Sequence, residues 1–150
     1  MYGAILGDII GSPFEFDRGD KTKNFDLFSK GCDFTDDSVM TIAVGEALLA
    51  VGTEATVKEI EEAVITNMQD WGKRYPYAGY GGRFRHWLKE KSPKPYGSYG
   101  NGSAMRVSAA GWLYDSLERT REVARATANV THNHPEGIKG AEATASAIYM

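Results

Sequence analysis

The stretch TVKEIEEAVITNMQDWG, residues 56–72, decides the fold class of this 150-residue chain. Thr56 and Glu59 stand three positions apart at its start, which is the spacing of a capping box that closes the first turn of an α-helix. Its apolar residues recur at intervals of three and four, so they share one face of such a helix. These residues are Val57, Ile60, Val64, Met68 and Trp71. The stretch predicts an amphipathic helix that buries one face.

Helical patterns cover most of the remaining chain. Residues 37–51 are apolar almost all round, which predicts a buried helix. Further helices are predicted over residues 83–91, 104–114 and 117–130. No segment alternates apolar and polar residues over the length of a strand. The sequence therefore predicts an all-α fold.

Both ends of the chain also carry helical patterns. Gly3, Gly7 and Gly11 lie four residues apart, which predicts a first helix whose glycine face packs closely against a neighbour. The last helix is expected to begin near Pro135, because proline is favoured in the first helical turn. One face of this last helix is formed by Ile138, Ala141, Ala145 and Ile148.

Three loops are predicted between these helices, over residues 12–35, 75–82 and 92–103. The second and third loops interleave glycines with tyrosines. A stretch of this kind either forms a poorly ordered linker or builds a surface on which bases stack and phosphates approach the backbone. The tyrosines concerned are Tyr75, Tyr77, Tyr80, Tyr96 and Tyr99.

The composition excludes several classes of protein. A hydrophobic content of 42% suffices for the core of one domain, or of part of one. The net charge of -3 and the lack of a Lys/Arg run provide no basic field for nucleic acid. The single cysteine, Cys32, fits a reducing compartment. Since no apolar run reaches membrane-spanning length and the start lacks a basic signal-peptide region, we expect a cytoplasmic protein without a membrane partner.

The segment Phe34-Thr35-Asp36-Asp37-Ser38 carries the strongest chemical signal. It sets one hydroxyl and two adjacent carboxylates on a turn immediately before the apolar run of residues 39–51. Such a group of hard oxygen ligands can hold Mg²⁺ or Mn²⁺. The same residue types also begin ordinary helices, with Thr35 or Asp36 capping free amides and Asp37 facing the positive end of the dipole.

Two further acidic residues stand in unusual surroundings. Asp8 lies between Gly7 and Ile9 in the first predicted helix, where a carboxylate needs hydrogen bonds or a nearby charge. It serves either a structural network or the site itself. Glu15 lies between Phe14 and Phe16, and burial there would raise its pKa and suit it to general acid or base catalysis. The alternative is a surface acid between two core anchors.

The stretch GSYGNGSAMR, residues 97–106, is a glycine-rich loop that runs into a predicted helix. Glycines let backbone amides approach an anion, and the start of a helix adds a favourable dipole. The segment is not a Walker loop, because Gly-Lys-Ser/Thr is absent. A simple turn with Ser103 as the helix cap is the alternative interpretation.

Two histidines, His132 and His134, stand two positions apart where the last helix begins. Residues at this spacing do not share a helix face, and no cysteine or further histidine lies nearby to complete a zinc site. We therefore interpret them as residues that hydrogen-bond a substrate or that belong to the helix cap.

Four segments taken in order resemble the ADP-ribosylglycohydrolase family, which includes the dinitrogenase-reductase-activating glycohydrolases. They are Gly3-Ala-Ile-Leu-Gly-Asp8 with Glu15, Phe34-Thr-Asp-Asp-Ser38, residues 97–106, and Thr131-His-Asn-His-Pro135. The resemblance extends from Tyr2 to Met150. It implies an all-α, multi-helix orthogonal bundle with a binuclear Mg²⁺ or Mn²⁺ centre in a cleft. It also implies hydrolysis of the bond between C1″ of the distal ribose of ADP-ribose and an acceptor.

The same resemblance assigns roles to individual acidic residues. Thr35, Asp36 and Asp37 would be metal ligands, and Glu15 matches the glutamate of the family's catalytic region. The resemblance assigns no role to Asp8, and our hypothesis is that it supports these ligands without binding the metal directly. In the reaction, acid assistance to the leaving group and a positioned water are needed, which metal ions and Glu15 would supply.

The resemblance also implies a substrate-binding loop. His132 is the better match to the family's ADP-ribose-contacting histidine, and His134 is the second choice. The loop residues that match the diphosphate and ribose contacts are Gly97, Ser98, Tyr99 and Asn101. Residues 97–101 are expected to line one concave site together with Glu15 and residues 35–37. The implied partner is an ADP-ribosylated protein or a small ADP-ribose derivative.

The chain departs from the family pattern in one respect. The family has a second metal motif, Asp-x-Asp-Ser/Thr, in its C-terminal part, and no such motif follows Asp37. We therefore expect residues 1–150 to be the N-terminal part of a single domain whose bundle is incomplete, with weak metal binding and little activity alone. The apolar face of the last helix is expected to lack its partner helices and to promote self-association or pairing with a C-terminal segment.

Two other functions remain open at this point. A non-catalytic ADP-ribose-binding or structural relative would lack half of the metal ligands, as this chain does, but would not need Thr35, Asp36, Asp37 and Glu15 together. A helical metal-dependent phosphohydrolase would show His-Asp pairs, which the sequence lacks. The acceptor in a hydrolase reaction is equally open among arginine, serine, a nucleic acid end and O-acetyl-ADP-ribose.

Overall fold

The computed structural model of the protein describes residues 1–16 and 22–150, so the predicted loop over residues 12–35 lies partly outside this range, at residues 17–21. The helices are α1 (Tyr2–Gly11), α2 (Asp36–Val51), α3 (Val57–Arg74), α4 (Gly82–Trp87), α5 (Gly102–Met105), α6 (Ala110–Leu113), α7 (Leu117–Asn129) and α8 (Pro135–Tyr149). A short 3₁₀ turn, Ser12–Phe14, follows α1. The described residues form no strand, which confirms the all-α prediction. None of the described helices combines the length and the apolar character needed to cross a lipid bilayer.

Two helix pairs build the core. Helix α2 packs most extensively against α3, and α7 against α8, while contacts between α3 and α7 join the two pairs. Helix α2 is buried on several sides, as its apolar sequence predicts, and α3 is buried along one face. The most completely buried apolar side chains include Met40, Val44, Leu48, Ile60, Val64, Met68, Trp87 and Val123.

The start of α3 has the predicted capping box. The backbone N–H of Glu59 donates to Thr56 Oγ1 at 3.3 Å, and the backbone N–H of Thr56 donates to the Glu59 carboxylate at 2.8 Å. Each residue thus satisfies an amide of the first turn for which the helix itself has no acceptor.

Two predicted helices end or break earlier than their patterns suggest. Helix α4 stops at Trp87, and the side-chain amide of Gln69 donates to the carbonyl oxygens of Trp87 and Glu90, at 3.3 and 2.8 Å. The predicted helix over residues 104–114 is two short helices, α5 and α6. Arg106 lies at the break between these two helices. Its guanidinium donates hydrogen bonds to Thr127 of α7 and to Thr131, which follows α7.

The apolar face of α8 is covered in part, which corrects the expectation that it would lack partner helices altogether. Ala141 and Ala145 are fully buried, Ile138 and Ile148 are half-buried, and α8 contacts α5, α6 and α7. Gly111 makes the contact with α6 close: a Cβ there would lie 2.6 Å from Ile148 Cβ and 2.9 Å from the Ala145 carbonyl oxygen. This cover comes from within the described residues because the helix break after Met105 allows α6 to turn onto the face.

The glycine face of α1 is open, which corrects the prediction of close packing. A Cβ at Gly3, Gly7 or Gly11 would meet no heavy atom within 4 Å. Helix α1 nevertheless contacts α2. Its glycines form one wall of a groove whose other walls come from α5 and α8. The spacing of glycines indicates that a helix face is bare, but it does not identify what lies opposite.

Candidate active site

Asp8 on α1 holds the beginning of α2 in place. Its Oδ2 accepts hydrogen bonds from the backbone N–H groups of Thr35 and Ser38, at 2.8 and 3.0 Å, and from Ser38 Oγ at 2.5 Å. Its Oδ1 accepts from Thr35 Oγ1 at 2.6 Å. The carboxylate is nearly buried, so these four bonds supply the hydrogen bonding that water would otherwise provide. Asp8 therefore belongs to a structural network, and that network orients residues 35–38.

Thr35 is also the N-cap of α2. Its Oγ1 accepts from the backbone N–H of Asp37 at 3.3 Å, which is the capping geometry that the sequence left as an alternative. The cap places Asp36 and Asp37 in the first helical turn, where the dipole favours negative charge. Capping and a ligand-binding arrangement therefore coexist at this turn.

Three carboxylates meet at the end of α1. One oxygen from each of Asp8, Glu15 and Asp37 lies within 4.8 Å of the other two, and we call this group the acid cluster. Oxygens that bind one Mg²⁺ or Ca²⁺ ion span at most about 4–5 Å, twice the metal–oxygen distance. The donor set is entirely hard oxygen, so it fits a divalent cation of the Mg²⁺ or Mn²⁺ type.

The carboxylates of Asp8, Glu15, Asp36 and Asp37 repel one another in this region. Burial, followed by the charge of Asp37, raises the pKa of Asp36 to about 6, and the charges of Glu15 and Asp8 add to the effect. Burial, followed by the charge of Asp8, also raises the pKa of Asp37, which a hydrogen bond from Thr35 partly offsets. A bound cation or a proton would relieve this repulsion.

Asp36 faces a cavity of about 330 Å³, which we call the loop cavity. Its walls come from the residues before and at the start of α4, from the glycine-rich loop and from the segment after α7. The lining residues are Asp36, Gly81, Gly82, Arg83, Phe84, Tyr96, Ser98, Gly100, Asn101, Gly102, Met105, Arg106 and His132. The structure thus brings Asp36 together with Ser98, Asn101 and His132.

Asp37 faces a different depression, a groove of about 410 Å³ that we call the acid groove. Asp8 and Glu15 line it too, along with the glycine face of α1 and parts of α5 and α8. Met105 lines both spaces, so the loop cavity and the acid groove adjoin each other. Asp36 and Asp37 open to different sides because consecutive helical residues point about 100° apart around the axis.

The glycine-rich loop is held by the segment that follows α7. The backbone N–H of Gly97, which has a φ of +64°, donates to Asn133 Oδ1 at 2.7 Å. Gly137 lets α8 begin directly beneath the loop, because a Cβ there would lie 2.7 Å from the Ser98 carbonyl oxygen. Ser103 Oγ donates to the Gly137 carbonyl at 2.7 Å. Ser103 is therefore not a helix cap, and α5, with four residues, adds little dipole.

The two histidines have different positions. His132 is buried in the wall of the loop cavity, with Nδ1 2.8 Å from Thr131 Oγ1. Burial and then the charge of Arg106 lower the pKa of His132 to about 4, so the imidazole is neutral near pH 7. His134 is exposed, and its side chain accepts from the backbone N–H of Glu136 at 3.2 Å as the N-cap of α8.

Tyr99 and Gly97 do not line the loop cavity, although they were predicted with the binding loop. The Tyr99 side chain is exposed, and its ring centroid lies 5.3 Å from that of His134. Tyr96 takes the inward position instead, with its ring centroid 6.2 Å from that of His132.

Sequence reasoning missed Arg83 of the cavity wall, and it named Tyr96 and Arg106 only as members of the tyrosine-bearing loop and of the stretch 97–106. A signal was present, because Glu90 is the one acidic residue between Trp71 and Tyr114, in a segment rich in lysine and arginine. An overall charge of -3 hides this local excess of positive charge.

The chain is similar to known proteins along its whole length. A family model described as ADP-ribosylglycohydrolase matches residues 1–150. The chain is 31% identical over 180 residues to the ADP-ribosylhydrolase ARH3 of Bos taurus and 30% identical over 179 residues to that of Homo sapiens. Each alignment covers 100% of this chain and 48% of the relative. The chain thus spans about half the length of the curated relatives it matches.

Proposed function

Because the chain belongs to the ADP-ribosylglycohydrolase family, we propose that it is part of a hydrolase that releases ADP-ribose from an acceptor. The bond cleaved joins C1″ of the distal ribose to a protein side chain or a small molecule. The observation that carries this proposal is the acid cluster beside the loop cavity, which sets carboxylates next to a space of ligand size. The names of the similar proteins, ADP-ribosylhydrolases, support the same reaction class.

In this proposal the loop cavity receives ADP-ribose. Ser98 and Asn101 line it with polar groups, and neutral His132 offers its Nε2, since its Nδ1 lies 2.8 Å from Thr131 Oγ1. Gly97 and Tyr99 act less directly: Gly97 shapes the turn through its bond to Asn133, and Tyr99 lies at the exposed rim beside His134. ADP-ribosylated proteins or small ADP-ribose derivatives are therefore the proposed partners.

Thr35, Asp36 and Asp37 are the proposed holders of Mg²⁺ or Mn²⁺. Support comes from the oxygen-only donor set, and from the acid cluster that places Asp8 and Glu15 beside Asp37. When bound, the ion would supply positive charge that offsets the carboxylates and polarises water or ribose hydroxyls. Asp8 would keep the turn rigid, since it already accepts four hydrogen bonds from Thr35 and Ser38.

Glu15 is the proposed carrier of the proton. In the balanced reaction, water oxygen forms a bond to C1″, the bond from C1″ to the acceptor breaks, and one proton moves from the water to the acceptor. A carboxyl group within 4.8 Å of Asp37 and partly exposed to the acid groove can hold that proton between the two steps.

We further propose that residues 1–150 are the N-terminal part of one ADP-ribosylglycohydrolase domain. The support is the length of the relatives, of which this chain covers 48%. An octahedral Mg²⁺ ion takes about six oxygen ligands, more than the acid cluster offers. The remaining part of a protein of that length would supply ligands for a complete centre.

Calorimetry on the 150-residue chain tests the division of roles. We expect His132→Gln to weaken ADP-ribose binding at least about 10-fold while Mn²⁺ affinity stays unchanged, because the imidazole lines the loop cavity and not the acid groove. Asp37→Asn should instead weaken Mn²⁺ binding. His86→Gln, which alters an exposed histidine paired with Glu90, is the matched control. Equal loss of Mn²⁺ affinity in the first two variants would contradict the assignment.

A further inference from the structure

We propose that Arg83 determines the ligand specificity of the loop cavity by neutralising a phosphate of the bound ligand. The inference rests on the proposed function, because it concerns the same cavity. It goes further by stating which side chain makes the site prefer a phosphate-bearing nucleotide to the corresponding nucleoside. Three sets of contacts support it.

First, Arg83 is held in one orientation. Its guanidinium carbon lies 4.7 Å from the ring centroid of Tyr96, in a cation–π contact. Its Nη2 also donates to the backbone carbonyl of Tyr96. These two contacts immobilise a side chain that otherwise has much rotational freedom, so less entropy is lost when a ligand binds.

Second, the charge of Arg83 is not neutralised within the protein. No carboxylate in residues 1–16 or 22–150 forms an ion pair with Arg83. A guanidinium has five N–H donors, and Tyr96 occupies one of them. The other donors remain at the wall of the loop cavity, in the planar geometry that suits phosphate oxygens.

Third, a second guanidinium stands behind the same cavity. Arg106 is 1% exposed, and its Nη2 donates to the Thr127 carbonyl and to Thr131 Oγ1 at 3.0 and 2.7 Å. Its guanidinium carbon lies 5.8 Å from the ring centroid of Phe84. Its Nε has no hydrogen-bond partner among the described residues, and no carboxylate among them forms an ion pair with it. A buried charge of this kind is costly unless an opposite charge approaches it.

The glycine-rich loop adds polar side chains to the same cavity, since Ser98 and Asn101 line it. These side chains together with two guanidinium groups match the oxygens of a phosphate better than they match an uncharged sugar or base.

Arg85 provides a matched control on the same helix. Its Nη2 donates to the Tyr80 carbonyl at 3.2 Å, and its side chain lines a separate depression with Lys73, Tyr77 and Lys89. Arg83→Gln and Arg85→Gln therefore remove the same charge from roughly opposite faces of α4. Only the first variant removes it from the loop cavity.

The experiment measures the binding of ADP-ribose, ADP and adenosine to the 150-residue chain and its two variants, at low and at high salt. We expect Arg83→Gln to weaken ADP-ribose and ADP about 10-fold and to reduce the salt dependence of their affinity. Adenosine affinity should not change, and Arg85→Gln should bind all three ligands as the original chain does. Arg83→Lys should recover part of the loss, because it keeps the charge without the planar fork.

Several outcomes would overturn the inference. If the original chain binds ADP-ribose and Arg83→Gln binds ADP equally well, Arg83 has no such role although the proposed function stands. If adenosine weakens as much as ADP, Arg83 acts only by shaping Tyr96. If the original chain binds none of the three ligands, both the proposed function and this inference fail. Both variants must also unfold at the same temperature as the original chain, so that a loss of binding does not reflect a loss of folding. We expect this result because Arg83 and Arg85 are both exposed.

Discussion

The carboxylates near the end of α1 and at the start of α2 lie so close together that their negative charges repel one another. Asp8 is stabilised by four hydrogen bonds from Thr35 and Ser38, whereas Asp36 and Asp37 carry raised pKa values. The fold keeps these groups together because the cap of α2 and the Asp8 network leave the turn no other arrangement. Stability in the absence of metal is therefore reduced at this point.

Replacing Asp36 by Asn should stabilise the metal-free chain, and the effect should depend on pH. The pKa of Asp36 rises from 3.8 to about 6 on folding, so the folded state binds the proton more tightly than the unfolded state. Protonation of Asp36 therefore stabilises the folded state. This stabilisation is complete below 3.8, the pKa of Asp36 in the unfolded state, and is lost as the pH rises through about 6. Above that pH we expect Asp36→Asn to raise the free energy of unfolding by about 1–2 kcal/mol. Urea unfolding with a chelator present, followed by circular dichroism, measures it.

Asp115→Asn is the control for this prediction, since it removes an exposed carboxylate near the start of α7. It should leave the free energy of unfolding nearly unchanged across the same pH range. Adding Mg²⁺ should stabilise the original chain more than the Asp36→Asn variant. A variant that is less stable than the original chain at neutral pH would contradict the proposed repulsion.

Among the helices, the contact between α6 and α8 depends on a single glycine. Ile148 and the Ala145 carbonyl occupy the space that a side chain at position 111 would need. Helix α8 in turn carries Gly137, on which the glycine-rich loop rests. The position of the loop cavity thus follows from how closely α8 approaches α6 and the loop.

Gly111→Ala should destabilise the protein by about 1–3 kcal/mol, because the new Cβ overlaps Ile148 and a backbone oxygen that cannot move independently. Gly7→Ala is the matched control in α1, where a Cβ meets no atom within 4 Å. The control should be neutral or stabilising by up to about 1 kcal/mol, since alanine is the better helix former. Urea unfolding of both variants gives the comparison. If Gly7→Ala destabilised the protein as much as Gly111→Ala, the groove beside α1 would not be open in solution.

For the whole molecule, the described residues place the acid groove and the loop cavity on either side of Met105. Helices α1 and α2 supply the carboxylates, while α4, the glycine-rich loop and the segment after α7 supply the cavity. The proposed reaction at C1″ requires both spaces to act on one ligand. The acid groove also exposes the bare face of α1, so the carboxylates have an open side.

The 150-residue chain alone is expected to bind Mg²⁺ or Mn²⁺ weakly, with a dissociation constant of about 10⁻⁴–10⁻³ M, because the acid cluster provides few of the ligands an ion needs. Release of ADP-ribose from a modified peptide should accordingly be slow. The measurement compares this chain alone with the chain mixed with the polypeptide that follows it in a protein of the relatives' length, with Glu15→Gln as the inactive reference. Rapid turnover by the chain alone that Glu15→Gln abolishes would refute the proposed incomplete metal centre.

The amino-acid sequence by itself determined where the main helices lie. The positions of α2, α3, α7 and α8 follow from apolar spacing and from caps such as Thr56 with Glu59, which act between residues within one turn of one another. The Thr-Asp-Asp turn and the glycine-rich loop were recognisable for the same reason. Each of these features depends only on residues that lie close together in the sequence.

Only the tertiary structure decided how these parts meet. Asp8 bonds to Thr35 across 27 positions, and Ser103 bonds to Gly137 across 34. The opening of Asp36 and Asp37 to different depressions, the cover over α8 and the orientation of Arg83 on Tyr96 all depend on such distant contacts. These contacts depend on how side chains from distant parts of the chain pack together in three dimensions. The spacing of residues along the sequence therefore does not predict them.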